Sequence, residues 1–378
     1  MSSRQLIDAA VLGGLLLVLL VVVLVDKLAP TAPQAPGLVI AQPASQAIVL
    51  NPVRAKPLRL AVTRSYQDKH VGVWDDMAKL LATLGEGYRF RLIETRELDV
   101  PKRFEDFDVL FLTCAPGGTE PAVTENLRGF VGGGGTLYAS DWRYDAVAAA
   151  FPDVVARNLR HDGSAQSLDA RVVDPGLRDL IGPTVPLKFD LDKWKPAAFG
   201  GDRVKVLLEG TYQRQTRGIA TAPLLVKFAF GKGTVIFTSF HNEKQNSEIE
   251  QKLLKYLVFS AVTAQLDAQI NQSIIQGGFT PQKQNLLSAS PGAPQVSYAY
   301  KSAKAGKIAF VLGFDDRGAR LRLTVKTPDG KTIEREGTSS FSVEAASPGP
   351  ADWQYTVTAA ALPFPEFPFT VTVAESDP

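Results

Sequence analysis

The stretch DVLFLTCAPGG, residues 108–118, decides how the middle of the chain is read. Val109 to Leu112 is an unbroken apolar run that leads into Thr113, the pattern of a strand covered on both faces. Ala115 to Gly118 then supply a turn at its C-terminal end. Thr119 offers an N-cap and Pro121 suits a first helical turn. The helix that follows puts Val123, Leu127, Phe130 and Val131 on one face. Gly132 to Gly135 stop it, and TLYAS (136–140) is the next strand. Such alternation predicts parallel strands joined by right-handed crossovers.

Working outward, LRLAV (58–62) and Tyr88 to Ile93 read as strands. Between them lies a helix carrying Met77, Leu80, Leu81 and Leu84. Downstream, KVLLEG (205–210) is a strand, and LLVKFAF, GKG and TVIFTSF (224–240) read as strand, tight turn and strand. Ser247 and Glu250 form an S-x-x-E capping box. It opens a helix with Ile249, Leu253, Leu254, Leu257 and Val258 on its buried face. The pattern is less regular between Trp142 and Val204. The expected unit is a flavodoxin-like α/β domain with a mostly parallel sheet, over residues 57–262.

Three stretches, DVLFLTCAPGG, LRGFVGGGGTLYASDW (127–142) and PLLVKFAFGKGTVIFTSFHNE (223–243), together resemble the class I glutamine amidotransferase-like superfamily. The nearer likeness is to its divergent ThuA-like branch. That resemblance implies a nucleophile on the turn after the strand ending at Ser140, and a histidine base at the end of a later strand. His241 and Glu243 match the His-x-Glu pair, with His241 as base and Glu243 orienting it. No cysteine stands at Ser140 or beside it, and Cys114 lies one strand earlier. Ser140–His241–Glu243 is therefore the triad to test. A strained elbow needs small residues two positions to either side, and Tyr138 and Trp142 are bulky. The alternative is a decayed site in which Ser140 and Asp141 cap the next helix. Gly117 and Gly118 precede a helix at a strand's C-terminal end, where open α/β sheets take ligands. A small-ligand pocket at Cys114, Gly117, Gly118, Ser140, Asp141 and His241 is a further reading.

Composition narrows the chemistry. The 378 residues carry 41 Lys plus Arg against 39 Asp plus Glu, a net charge of +2 that argues against a nucleic-acid partner. A single cysteine excludes intrachain disulfides and CxxC sites. His70, His161 and His241 are far apart in sequence, so spacing points to no metal and no cofactor.

The ends of the chain speak to location. Residues 9–25, AAVLGGLLLVLLVVVLV, hold 17 uncharged residues, just enough to cross about 30 Å of hydrocarbon. A cleaved signal peptide would have a shorter apolar region and a more basic start. Residues 1–28 are expected to be a cytoplasmic stub and a single membrane-spanning helix, N-terminus inside. Residues 29–56 are rich in Pro and Ala, a semi-rigid spacer. The chain turns polar from about Gly277 to Pro294, and residues 263–294 are expected to be a linker. From 295 to 378 period two dominates: Val296, Tyr298 and Tyr300 share a face, as do Leu321, Leu323 and Val325, and Trp353, Tyr355 and Val357. This predicts an antiparallel β-sandwich, similar to Ig-like or prepeptidase-C-terminal-like modules of exported bacterial proteins. The combined expectation is a non-catalytic inner-membrane protein, its bulk extracytoplasmic, serving interaction or assembly with protein partners in the bacterial envelope. The alternatives are a hydrolase using the triad above and a sensor of a small ligand such as a carbohydrate.

Overall fold

The computed structural model describes residues 48–50, 58–70, 72–154, 162–315 and 317–377. The expected span at 9–25 lies outside the described residues, as does the 29–56 spacer apart from residues 48–50. No helix among the described residues is long and apolar enough to cross a membrane.

Nine strands form the central sheet: β1 (Leu60–Thr63), β2 (Phe90–Ile93), β3 (Val109–Leu112), β4 (Thr136–Ser140), β5 (Gln166–Val172), β6 (Thr184–Phe189), β7 (Val204–Gln213), β8 (Ile219–Phe230) and β9 (Gly233–Thr238). Their order is β2-β1-β3-β4-β9-β8-β7-β5-β6. The first five are parallel, with Val109 beside Leu60 and Thr136, and Thr238 beside Ser140. The remaining pairings are antiparallel. The expectation of a mostly parallel sheet is thus corrected to a mixed one. Short connections make the difference: two residues separate β8 from β9, too few for the crossover that a parallel pair requires.

Helices cover both faces. α1 (Met77–Thr83), α4 (Pro175–Ile181) and α5 (Glu248–Val262) bury Met77, Leu81, Leu177, Leu253 and Leu257 on one side. α2 (Pro121–Gly133) and α3 (Tyr144–Ala150) bury Val123, Leu127, Val131 and Val147 on the other. All four residues of β3 are buried, as an apolar run between two layers requires. The glycine run does more than end α2. A Cβ at Gly233 would stand 2.2 Å from the carbonyl oxygens of Val131 and Gly135, so the two glycine turns pack backbone to backbone.

The stretch 263–294 is a correction. It contains α6 (Ala264–Gln276) and β10 (Thr280–Ala289) where a linker was expected. α6 is amphipathic, and its Leu266, Ile270 and Ile274 pack under Ala309, Val311 and Ala374. β10 begins the sandwich, whose further strands are β11 (Gln295–Ser302), β12 (Ala305–Gly313), β13 (Arg320–Lys326), β14 (Thr332–Gly337), β15 (Phe341–Pro348), β16 (Ala351–Ala361) and β17 (Phe367–Ser376). Two four-stranded antiparallel sheets, β10-β17-β12-β15 and β11-β16-β13-β14, enclose Leu321, Leu323, Val325, Trp353, Tyr355 and Val357.

The sandwich is docked on the α/β layer. Asn285 on β10 donates its side-chain amide to Asp179 at 2.9 Å and to the Gly176 carbonyl at 3.3 Å. A Cβ at Gly176 would lie 1.7 Å from the Gln284 carbonyl oxygen. Lys255 on α5 pairs with Glu366 at 2.7 Å, and the Tyr88 hydroxyl donates to the Glu366 carbonyl at 2.6 Å.

Two outcomes follow from this docking. Gly176→Ala gains roughly 1 kcal/mol of helix propensity, but the clash with Gln284 costs about 1–3 kcal/mol. The variant is therefore expected to unfold at lower urea concentration than wild type. At Glu366, burial pushes the carboxyl pKa up, but Lys255 and Ser288 outweigh it and hold it below the usual glutamate range. A depressed acid pKa contributes stability above its unfolded value of about 4.3, and that contribution is lost as pH falls through the folded value. Lys255→Met is expected to melt below wild type at pH 7 and to converge with it under acid, as thermal melts across pH will register.

Candidate functional site

The C-terminal ends of β3, β4 and β9 lie side by side, and each delivers one polar residue within three positions of the strand end. β3 gives Cys114, β4 gives Asp141 and β9 leads to His241. Their Sγ, Oδ2 and imidazole nitrogen lie within 4.8 Å of one another, and all three residues are buried.

The strained position of the turn is Asp141, not Ser140. Asp141 has φ +45°, a left-handed conformation that L-residues seldom adopt. Ser140 keeps an extended φ of −125° and belongs to the strand. The expectation that Ser140 and Asp141 cap the next helix is corrected: the turn after Ser140 has no side-chain cap. Asp141 Oδ1 instead accepts the Lys195 backbone N–H at 2.7 Å. That bond leaves Oδ2 facing His241 Nε2 at 3.1 Å, while the Cys114 thiol donates to it at 3.7 Å. The His241 contact has ion-pair distance but lies off the line for a hydrogen bond, so Nε2 has no hydrogen-bond partner among the described residues.

The other ring nitrogen, Nδ1, is held by Asp190 Oδ1 at 3.0 Å. Asp190 thus has the orienting role that the resemblance gave to Glu243; the side chain of Glu243 lies outside the described residues. Ser140 is turned elsewhere. Its hydroxyl donates to Asp75 Oδ2 at 2.7 Å, and the Asn242 backbone N–H reaches Asp75 Oδ1 at 2.9 Å. Gly117 and Gly118, both at positive φ, belong to a different contact. The buried Arg143 clamps this loop, donating to the Thr113 carbonyl at 2.9 Å and the Gly117 carbonyl at 3.4 Å. Gly118 is needed for closeness, since a Cβ there would meet the Arg143 guanidinium at 3.2 Å. The six-residue pocket of the sequence reading thus resolves into two arrangements, with only Cys114, Asp141 and His241 converging.

Burial dominates the electrostatics. It pushes the Asp75 and Asp141 carboxyls upward and the Cys114 thiol up to about 12. At His241 burial acts against the imidazolium, but Asp141, Asp190 and Cys114 outweigh it and raise the pKa well above the usual histidine value. Asp190 is driven up by burial and down by His241, with the downward effect winning. Burial thus works hardest against the charge on the fully enclosed Asp141, while His241 favours the charge on Asp190. Beside the cluster lies a cavity of about 10 Å³ lined by Asp141, Asp190, Ser239 and His241 among others. That is room for about one water molecule, not for a substrate.

Asp75, Asp190 and Arg143 were missed by sequence reasoning. Asp75 precedes the N-cap of α1 and Asp190 sits in an irregular FDLDKW stretch, with no motif to mark either.

No family model and no curated protein matches the sequence. Solved structures that are similar to the chain include ThuA-like proteins, glycosidases such as a β-galactosidase from Bacillus circulans, and an IFT52 N-terminal domain. A cytoplasmic protein of Salmonella typhimurium is 14% identical over 52% of this chain and 95% of its own, with a TM-score of 0.35. A ThuA-like protein from Bacteroides uniformis is 12% identical over 54% and 91%, at 0.36. Another from Parabacteroides merdae is 12% identical over 53% and 88%, also at 0.36. Likeness at this level carries no argument about activity.

Ser140→Ala separates structure from catalysis. It removes a donor from the buried Asp75 carboxyl, which should cost about 1–3 kcal/mol in denaturant unfolding. A hydrolytic serine would leave stability near wild type and abolish turnover instead.

Proposed function

We propose that this chain is a non-catalytic interaction or assembly protein of the bacterial envelope, built on an amidotransferase-like domain and a β-sandwich. Residues 9–25 hold it in the inner membrane with the N-terminus inside and the folded part outside. The observation that carries the non-catalytic reading is the closure of the site. A carboxylate stands at the strained turn, the neighbouring serine is bound to Asp75, and the space beside His241 admits about one water. Acyl transfer needs a reacting carbon about 3 Å from a nucleophile and from oxyanion donors, and the cavity beside His241 is too small to hold such a substrate. The apolar segment and the sandwich support the location and the binding role.

The experiment uses the full chain in its membrane. Intact-mass analysis after exposure to a fluorophosphonate and to iodoacetamide is expected to find no adduct on the folded protein and one iodoacetamide adduct after denaturation. Rapid labelling of folded chain at Ser140 or Cys114 would overturn the non-catalytic reading. C-terminal alkaline phosphatase fusions are expected to be active, and inactive fusions would overturn the orientation.

A further inference from the structure

The three strand-end residues do not behave as a well-satisfied buried cluster. A thiol, a carboxylate and an imidazole are enclosed together, and His241, 3% exposed, aims Nε2 at the other two without a hydrogen bond. Ser239 Oγ, on the rim of the adjoining cavity, is likewise buried without a hydrogen-bond partner among the described residues. A buried imidazole nitrogen aimed at a thiol and a carboxyl without a hydrogen bond indicates an absent partner.

We propose that Cys114, Asp141 and His241 bind a zinc ion, with the one-water cavity beside Ser239 supplying the fourth position. Two of the three separations match a tetrahedral ion, and all three donor atoms lie within 4.8 Å of one another. A tetrahedral zinc with ordinary bond lengths sets N···O at about 3.3 Å and S···O at about 3.6 Å. His241 Nε2 to Asp141 Oδ2 is 3.1 Å, and Cys114 Sγ to the same oxygen is 3.7 Å. The donor set of one thiolate, one imidazole and one carboxylate is that of zinc rather than of calcium or magnesium, which take oxygen.

The surroundings hold each donor in its binding form. Asp190 sits on Nδ1, the place of the usual outer partner of a metal-bound histidine, and leaves Nε2 as the nitrogen that faces the ion. The Lys195 N–H occupies Asp141 Oδ1 and reserves Oδ2. The charge also closes: thiolate plus carboxylate offsets a dication. A cysteine that binds the ion does so as its thiolate and releases a proton. The site is structural, tying the ends of β3, β4 and β9 to the Asp190 loop, and it stands whether or not the envelope role is right.

The test uses the full chain in detergent, purified without added metal and then stripped with chelator. Elemental analysis of the protein as purified is expected to find about one zinc per chain. Returning zinc to the stripped protein should raise its melting temperature by several degrees. Cobalt(II) in its place should give the intense visible bands of a tetrahedral site and a sulfur-to-cobalt band in the near ultraviolet. Cys114 is the sole cysteine of the chain, so that band can report nothing else. Cys114→Ser is expected to lose it. Asp190→Asn should keep it while weakening zinc affinity about 10–100-fold. Should Cys114→Ser fail to fold, the wild-type cobalt spectrum decides alone. Protein that is metal-free as purified, and that answers added zinc and cobalt with neither a thermal shift nor a sulfur band, overturns the proposal.

Discussion

Burying charge at the ends of parallel strands is the constraint on which this molecule's centre depends. Parallel strands covered on both faces leave their C-terminal ends as the one place where polar side chains can meet. In this chain the ends of β3, β4 and β9 are sealed by the turn at Asp141, the Arg143 clamp and the loop carrying Asp190. A carboxylate removed from water must find a donor, a proton or a cation. Each carboxylate around His241 does so differently: Asp75 through Ser140 and the Asn242 N–H, Asp190 through the imidazole, Asp141 through the Lys195 N–H and the cluster itself.

The same constraint shapes the turn at the end of β4. The strained turn persists at Asp141, where the backbone pays about 1–3 kcal/mol for a left-handed residue. That strain survives because the surrounding bonds overdetermine it: Oδ1 is fixed from one side, and Oδ2 faces the thiol and the imidazole. The serine one position earlier is an ordinary strand residue whose hydroxyl supports α1. What looks like a triad along the sequence is two separate hydrogen-bond systems in space, divided by the direction in which one strand end turns.

The sandwich is part of the same compact body. Gly176 lets the carbonyl of Gln284 approach α4 closely, and Glu366 draws together Tyr88, Lys255 and Ser288 from different elements. A polar, Gln-rich segment such as 263–294 gives little sign of this. Its apolar residues are few, and α6 needs only Leu266, Ile270 and Ile274 to cover one face of the sandwich.

By itself the sequence determined the elements with strong periodicity. The buried runs at 109–112 and 234–240, the capping box at Ser247 and Glu250, and the period-two strands after 295 are all legible, because burial on one or two faces stamps a local pattern. The strands at 166–172 and 184–189 also alternate, but Pro186 and interspersed charges blur them. Tertiary structure alone decided the antiparallel half of the sheet, the docking of the sandwich and the identity of the site. Cys114, Asp141, Asp190 and His241 are scattered over more than a hundred residues. Only the order of strands in a sheet, which no local pattern encodes, makes them neighbours.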